Sequence, residues 1–374
     1  MTRSAHVVVD ARMMNHAGIG VYIRNLVPRV RARLAGWRFT VLVPSDAANA
    51  TIFGDDVVRC SSAIYTIAEQ LELPRVTPRD ADLFWSPHYN VPLRLRTPLV
   101  ATVHDVAHLA RRERGGVVGM LRTTYARQLM ENVRLRARQI MFVSEFSRGE
   151  FTRLVGVPRK SIVVPNGVDD GWTRAASAVS PQPQRNVRPY ILFVGSVKPH
   201  KNVGGLLRAF EQIVNDVPHD LVIAGNHEGM RTIDSAAIDS AKALGDRVRL
   251  LGRVSDAELP ELVAAADVLV LPSFYEGFGL PPIEAMAVGC PVLVSDIPAL
   301  RETCGDAALY CDPHAPGDIA RQLRAMLADS VLRARLVERG RLRAARFTWD
   351  AAAQTVADVF ADAVGIEREV LSSP

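Results

Sequence analysis

Short apolar runs recur along this chain, each followed by a stretch with helical periodicity. HVVVD (residues 6–10) leads through ARMMNHAGIG into the helical pattern VYIRNLVPRVRARL, and RFTVLVPS, ADLFWSPH, PLVATVHD and QIMFVSE follow. A parallel strand pair cannot be joined by a tight turn and needs a crossover, so this alternation is the signature of βαβ units. Near residue 165 the pattern breaks at VVPNGVDDGW, and the polar, proline-bearing TRAASAVSPQPQRNVR after it reads as a linker. A second series runs through YILFVGSV, DLVIAG, RVRLLG, DVLVLPS, PVLVSD and AALYCDP, and a helix over TWDAAAQTVADVFADAV closes the pattern. The fold class is therefore α/β with two Rossmann-like domains. Residues 1–170 form the first, 171–189 the linker and 190–346 the second, and a C-terminal helix in 347–374 is expected to pack back on the first. A length of 374 residues suits two domains, and 48% hydrophobic content supplies their cores. Open α/β sheets bind ligands at the carboxyl ends of their strands, so the two domains are expected to face each other across a cleft.

No apolar run approaches the length of a membrane span, no internal repeat is visible, and MTRSAHVVVDARMM has too short an apolar core for a signal peptide. Cys60, Cys290, Cys304 and Cys311 form no CxxC pair and lack histidines at zinc spacing, which suits reduced thiols in a cytoplasmic protein. The net charge of +5 hides an asymmetry. Residues 1–170 carry 24 Lys and Arg against 15 Asp and Glu, and the remainder carries 21 against 25. The basic excess is almost all arginine and is densest in residues 110–139, so the first domain is expected to meet an anionic surface or ligand. No aromatic-interleaved basic motif accompanies it, so nucleic acid is not the expected partner.

SFYEGFGLPPIEAMAVG, residues 273–289, sets Glu276 and Glu284 on either side of a glycine and proline turn. Gly277 and Gly279 let the backbone approach a ligand closely, and Pro281 and Pro282 suit the first helical positions. A short helix PIEAMAVG stopping at Gly289 is expected, with Glu284 in its first turn and free N–H groups aimed at an anion. Carboxylates beside an anion site make sense where they accept from hydroxyls. A nucleotide diphosphate sugar has phosphates in the middle and hydroxyls at both ends. The same spacing also suits a capped surface helix with two solvated acids. Glu276 follows DVLVLPS at a strand's carboxyl end, which favours the ligand.

Three further constellations lie at strand ends. FVGSVKPHKN carries Lys198, His200 and Lys201 just before a helix whose N-cap reads as Asn202; cations there would oppose the helix dipole unless an anion joins them. TVHDVAHL puts His104 and Asp105 after a buried strand, either as a sensor of sugar hydroxyls or as a hydrogen-bonded structural pair. HAGIG gives Gly18 and Gly20 a tight turn into a helix, but Ile23 stands where a dinucleotide fingerprint needs a third glycine. The D-x-D of Asp80 and Asp82 precedes a strand rather than following one, so it reads as strand-entry polarity and not as a metal site.

Together these residues resemble the glycosyl transferases group 1 family, retaining enzymes of the GT-B fold that use nucleotide-sugar donors. Glu276 and Glu284 match its E-x7-E motif, and FVGSVKPHKN, MFVSEFSRGE, VPNGVD and GDAALYCDP fall in the family's order. The resemblance implies that Glu284 binds the ribose diol and Glu276 the hydroxyls of the donor sugar. It implies that backbone amides of Phe278, Gly279 and Leu280 meet phosphate or sugar oxygens and that Lys201 meets the diphosphate. It further implies His104 beside the donor sugar, Gly18 and Gly20 by the phosphate and acceptor, and Arg253 and Val254 by the base. Many members carry Arg where this chain has Ser196, so Lys201 lacks that partner. Ser196 with PHKN after it, DARMMNHAGIGVYIRNL and HDVAHL look most like bacterial mannosyltransferases of polysaccharide and O-antigen assembly, which points to GDP-mannose as donor.

On this resemblance Glu276, His104 and Lys201 are the expected catalytic groups, and neither a cofactor nor a metal is expected. Lys201, loop amides and the helix N-terminus would stabilise the leaving diphosphate. The implied acceptor is a glycan or a polyprenyl-diphosphate-linked sugar held by the N-terminal domain. A peripheral contact with the anionic inner membrane is expected through Arg111, Arg112, Arg114 and Arg122, with Arg134, Arg136 and Arg138 beyond them; an ordinary solvated arginine face is the alternative. A nucleotide-sugar epimerase of the same architecture and a non-catalytic nucleotide-sugar-binding subunit are the competing functions, and Ile23 disfavours a dehydrogenase.

Overall fold

The computed structural model describes residues 4–54, 56–110, 116–178, 188–225 and 234–365. The chain divides into two compact units, residues 1–167 with 348–374 and residues 168–347. In the first, β1 (His6–Asp10), β2 (Arg38–Pro44), β3 (Val57–Cys60), β4 (Leu83–Ser86), β5 (Leu99–Val103), β6 (Ala137–Phe142) and β7 (Ser161–Val163) form one parallel sheet in the order β3-β2-β1-β4-β5-β6-β7. In the second, β8 (Tyr190–Val194), β9 (Asp220–Ala224), β10 (Val248–Gly252), β11 (Val268–Leu271), β12 (Val292–Ser295) and β13 (Leu309–Cys311) are ordered β10-β9-β8-β11-β12-β13, again all parallel.

The central strands β1, β4, β5, β9, β11 and β12 are buried at every residue, as helices covering both faces require. In each sheet the strand order reverses beside the first strand. β1 lies between β2 and β4, with Val8 opposite Thr40 and Phe84; β8 lies between β9 and β11, with Leu192 opposite Val222 and Leu269. Crossovers leaving such a strand pair depart to opposite faces and open a crevice at the carboxyl ends. The loops after β1 and β4, and after β8 and β11, are therefore where a ligand is expected in such sheets.

The sequence reading missed two strands, β3 and β7. Both are sheet edges, and their burial patterns are mixed rather than apolar throughout. An edge strand is covered on fewer sides, so its sequence need not show the continuous apolar run of a central one.

The stretch 171–189, expected as a linker, begins as a helix over Asp170–Ala178 within the second unit, packed on the Leu280–Val288 helix. Residues 179–187 lie outside the described residues. The closing helix, Trp349–Val364, is capped by Thr348, whose Oγ1 accepts from the Ala351 N–H at 3.1 Å, and it packs on the Ile19–Arg33 helix of the first unit. Its aromatics enter that core: Phe360 lies edge-on to Trp85 at 5.2 Å and Trp349 to Tyr22 at 5.9 Å. Each buried aromatic stabilises by roughly 1.5–3 kcal/mol through area alone. At Gly167 a Cβ would stand 2.1 Å from the Trp349 nitrogen, so only glycine lets the two chain segments pass there. Among the described residues no helix is long and apolar enough to cross a membrane.

Candidate active site

In the second unit the site is built from the loops on either side of the order reversal. After β8 the chain passes Gly195 and Ser196 into one 3-10 turn, Pro199–Lys201, ahead of the Val203–Glu211 helix. After β11 the loop 272–279 leads into the Leu280–Val288 helix. The Phe274 N–H donates to the His200 carbonyl at 2.8 Å and ties the two loops together. Lys201 and Glu276 meet here: Nζ donates to Oε1 at 2.7 Å and to Oε2 at 2.9 Å. Glu276 is buried, and a buried carboxylate without its cation would be costly. An ammonium has three N–H donors, so one remains for an anion.

Asn202 departs from the expected side-chain cap. It adopts a left-handed conformation at φ 55°, and its side chain caps nothing. Nδ2 donates instead to the Pro272 carbonyl at 3.0 Å and the Pro313 carbonyl at 2.7 Å. Asn202 is thus a buried clamp on the exit of β11. Asparagine's tolerance of this backbone region was the one available signal.

The second helix also differs from expectation. It begins at Leu280, and Pro281 and Pro282 fill its first turn, so Glu284 stands in the second turn. Of the first three helical residues only Leu280 has an N–H, because proline carries none. The amides expected to meet an anion, those of Phe278, Gly279 and Leu280, lie in the loop and at the first helical residue. Gly279 has φ 94°, and a Cβ there would stand 2.5 Å from Leu300 Cδ2, so the turn requires glycine. The Phe278 carbonyl is fixed by the Thr303 hydroxyl, which donates to it at 2.6 Å. Glu284 is 8% exposed. Burial, then Asp256 and Asp169, pushes its carboxyl up to about 8. Among the described residues no cation pairs with it. Hydroxyls of a ligand would offset that penalty, and a vicinal diol supplies two donors to one carboxylate.

In the first unit Gly18, at φ 71°, starts the Ile19–Arg33 helix, and Gly20 is pressed against its own loop, where a Cβ would meet the Met14 oxygen at 2.5 Å. His104 follows β5, and its Nε2 lies 2.9 Å from the Pro87 carbonyl. A carbonyl only accepts, so the proton belongs on Nε2 and Nδ1 keeps its lone pair. Burial lowers the pKa of this ring, which favours the neutral form. The imidazole stands edge-on to the buried Tyr22 at 4.8 Å. Asp105 accepts from the Ala107 N–H at 2.9 Å rather than from His104. The MFVSEFSRGE motif has a local purpose: Ser144 caps the Glu145–Leu154 helix, and the Ser147 hydroxyl donates to the His104 carbonyl at 2.8 Å.

A buried polar cluster at the ends of β1 and β4 escaped the sequence reading. Arg12 forks onto Asp10, with Nε to Oδ1 and Nη2 to Oδ2 both at 2.8 Å, and Nη2 also reaches Glu69 Oε2 at 3.2 Å. Asn90 Nδ2 donates to both oxygens of Glu69, at 3.1 and 2.9 Å. Burial raises the Glu69 carboxyl above its ordinary value, outweighing the opposing pull of Arg12. His88 Nδ1 accepts from the Asn90 N–H at 3.2 Å, and burial holds this ring well below its usual pKa. A charge ending the first buried strand and another two residues on, Asp10 and Arg12 in HVVVDAR, were the available signal.

The remaining expected residues are scattered. Ser196 is half-buried at the end of β8. Arg253 is exposed and Val254 half-buried beyond β10, and the nearby Asp256 reaches this site through its effect on Glu284. Asp82 accepts from the His6 N–H at 2.9 Å, and Asp80 pairs with Arg38, so both acids hold the entry to β4. Arg111, Arg112 and Arg114 lie outside the described residues. Arg122 is exposed. Three other arginines are engaged within the fold: Arg134 pairs with Glu131, Arg136 donates to the Leu93 and Leu95 carbonyls, and Arg138 to the Ala363 carbonyl.

Against known proteins, residues 179–343 match the family described as Glycosyl transferases group 1, and residues 16–172 match Glycosyltransferase Family 4. O-antigen chain mannosyltransferase B of Escherichia coli is 32% identical over 275 residues, covering 72% of this chain and 71% of that protein. A D-inositol 3-phosphate glycosyltransferase of Xylanimonas cellulosilytica is 33% identical over 285 residues, covering 72% of this chain and 67% of that protein. Among solved structures, Anabaena HepE in complex with UDP-glucose aligns with a TM-score of 0.76 at 18% identity, covering 96% of this chain and 99% of that one. That likeness shows the fold.

Proposed function

This chain belongs to the glycosyl transferases group 1 family and has its GT-B fold, and from that membership we propose that it moves mannose from GDP-mannose, with retention, onto a glycan or polyprenyl-diphosphate-linked acceptor of O-antigen assembly. The observation that carries this reading is the loop pair of the second unit, which holds the Lys201–Glu276 pair and leads into the helix that carries the buried Glu284. Glu284 accepts from the ribose diol. Lys201 and the amides of Phe278, Gly279 and Leu280 take the diphosphate, Ser196 lies beside them, and Arg253 and Val254 adjoin the base. Glu276 turns to hydroxyls of the mannose.

In the reaction the bond from the sugar's anomeric carbon to the diphosphate oxygen breaks, and its electron pair leaves with the diphosphate. The acceptor oxygen attacks from the face being vacated, and its proton passes to the departing diphosphate. Lys201 and the loop amides are aimed at the charge that develops on that leaving group. His104 accepts from a sugar hydroxyl through Nδ1, and the first unit, with Gly18 and Gly20 at its loop, takes the acceptor. Neither metal nor cofactor enters. Peripheral membrane contact is proposed through Arg122, which has the exposed Met120 and Leu121 beside it, and through the neighbouring Arg111, Arg112 and Arg114.

The test is a melting-temperature screen against GDP, UDP, dTDP and ADP, followed by transfer from the matching mannose or glucose nucleotide. A ligand that binds the folded state raises its melting temperature. GDP should give the largest rise. A larger rise with UDP overturns the donor, and no rise with any nucleotide together with no transfer overturns the activity.

A further inference from the structure

In the first unit Cys60, Ser86 and Val103 end parallel strands, so the loops after β3, β4 and β5 rise from one edge of the sheet. Tyr65 lies in the first of these loops, just ahead of the Ile67–Val76 helix that Thr66 caps. It is a non-glycine residue at φ 64°. A bulky side chain is strained in that region, which glycine or asparagine would adopt at less cost. Such strain persists only where the surroundings over-determine it. Here the Tyr65 N–H donates to Glu69 Oε1 at 2.8 Å, and Glu69 is itself held by Arg12 and Asn90.

The side chain is fixed at its far end as well. Nδ1 of His88 accepts from the Asn90 N–H and burial keeps that ring neutral, so its proton belongs on Nε2. Nε2 donates to the Tyr65 hydroxyl at 3.2 Å, and the hydroxyl donates in turn to that of Tyr89 at 3.2 Å. Yet Tyr65 remains 44% exposed, and most of a tyrosine's surface is ring. Burial in the core therefore does not account for an aromatic at this strained position. The rings of His88 and Tyr89 stand 5.8 and 6.2 Å away, edge-on and tilted, so neither lies flat on it. With its O–H proton engaged and its ring held in place, Tyr65 offers a ligand an apolar face at little further entropic cost.

Position narrows the ligand. The residue before His88 is Pro87, whose carbonyl accepts from His104 Nε2. Tyr65 and His104 are thus anchored to adjacent residues of the loop after β4. A pyranose combines hydroxyls, which suit a neutral histidine, with a face of C–H groups, which suits an aromatic ring. We propose that Tyr65 is an acceptor-specificity residue, its ring being the platform on which a pyranose of the acceptor stacks through its C–H face. The inference rests on the glycosyl-transfer reading above, in which the first unit takes the acceptor.

Its test uses the full chain with Tyr65→Phe and Tyr65→Gly; glycine suits the backbone there, so the second variant removes the ring without adding strain. Saturation-transfer NMR with the methyl glycosides of mannose, glucose, galactose and N-acetylglucosamine needs no donor. At least one glycoside should receive saturation on its C–H protons from the unaltered protein and from Tyr65→Phe, and lose most of it with Tyr65→Gly. In transfer from GDP-mannose to that glycoside, Tyr65→Gly should raise the acceptor KM about 10-fold with far less change in kcat, the order of one stacking contact. Tyr65→Phe, which gives up one neutral hydrogen bond, should stay within about threefold of the unaltered enzyme. GDP should raise the melting temperature of all three proteins alike, since the reading places it on the second unit.

A loss in Tyr65→Phe as large as that in Tyr65→Gly overturns the platform, because the hydroxyl's tie to His88 and Tyr89 is then what matters. Saturation transfer that is absent for every glycoside or unaltered in Tyr65→Gly overturns it too, as does an acceptor KM that does not move. If GDP does not bind or GDP-mannose does not turn over, while Tyr65→Gly still abolishes saturation transfer, the donor reading fails and the platform stands.

Discussion

Glu284→Gln should make the ligand-free protein more stable at neutral pH while weakening nucleotide binding. The carboxyl is buried and its pKa is pushed from 4.5 to about 8. In the unfolded chain it ionises near 4.5, so folding is increasingly opposed as pH rises from there. The penalty saturates above the folded value. At 1.36 kcal/mol per unit it reaches about 3 kcal/mol at pH 7 and about 5 kcal/mol above pH 8. Glutamine fills the same space and does not ionise. For a unit of this size each kcal/mol moves the melting temperature by about 2–4 °C, so the variant should melt roughly 6–12 °C higher at pH 7.

The assay is thermal unfolding of both proteins between pH 4 and pH 9, with and without GDP. Below about pH 4.5 the two curves should converge, since Glu284 is then protonated in both states. GDP should raise the melting temperature of the unaltered protein more than that of the variant, because only a carboxylate accepts from both ribose hydroxyls. A gap that is constant with pH, or a variant that melts lower at pH 7, would refute the reasoning.

Transfer from GDP-mannose should survive excess chelator; complete loss restored by magnesium or manganese contradicts the metal-free mechanism. Lys201→Ala should weaken GDP binding by about 10- to 100-fold, whereas Glu276→Ala should leave it within a few-fold and lower kcat, as calorimetry and turnover measurements would establish. Asn202→Ala strands two buried carbonyls and should cost about 2–4 kcal/mol in a denaturant titration; a change under 0.5 kcal/mol removes its role as a clamp. Vesicles of anionic lipid should sediment the protein at low salt and release it at raised salt, with Arg122→Ala weakening the binding; equal binding to neutral lipid removes the membrane contact.

Two parallel-sheet units and their central strands were legible because a strand covered on both faces is mostly apolar along its length. HVVVD, PLVATV and DVLVLP show this directly. Strand ends were legible for the same reason, and with them the positions of His104, Lys201 and Glu276. The edges β3 and β7 were not, since partial exposure leaves room for mixed sequence. The dipeptide Pro281-Pro282 announced a helix start but hid its consequence: two of the N–H groups that a first turn would offer an anion are missing.

Only the tertiary structure could decide which polar groups meet. Lys201 and Glu276 are 75 positions apart in the chain, and Arg12, Glu69 and Asn90 come from three separate segments. Pattern along a sequence reports the burial of apolar surface, which repeats with the period of a strand or helix. A charge finds its partner through burial at one point in space, where an unmatched polar atom is costly, and that cost leaves no periodic trace in the chain.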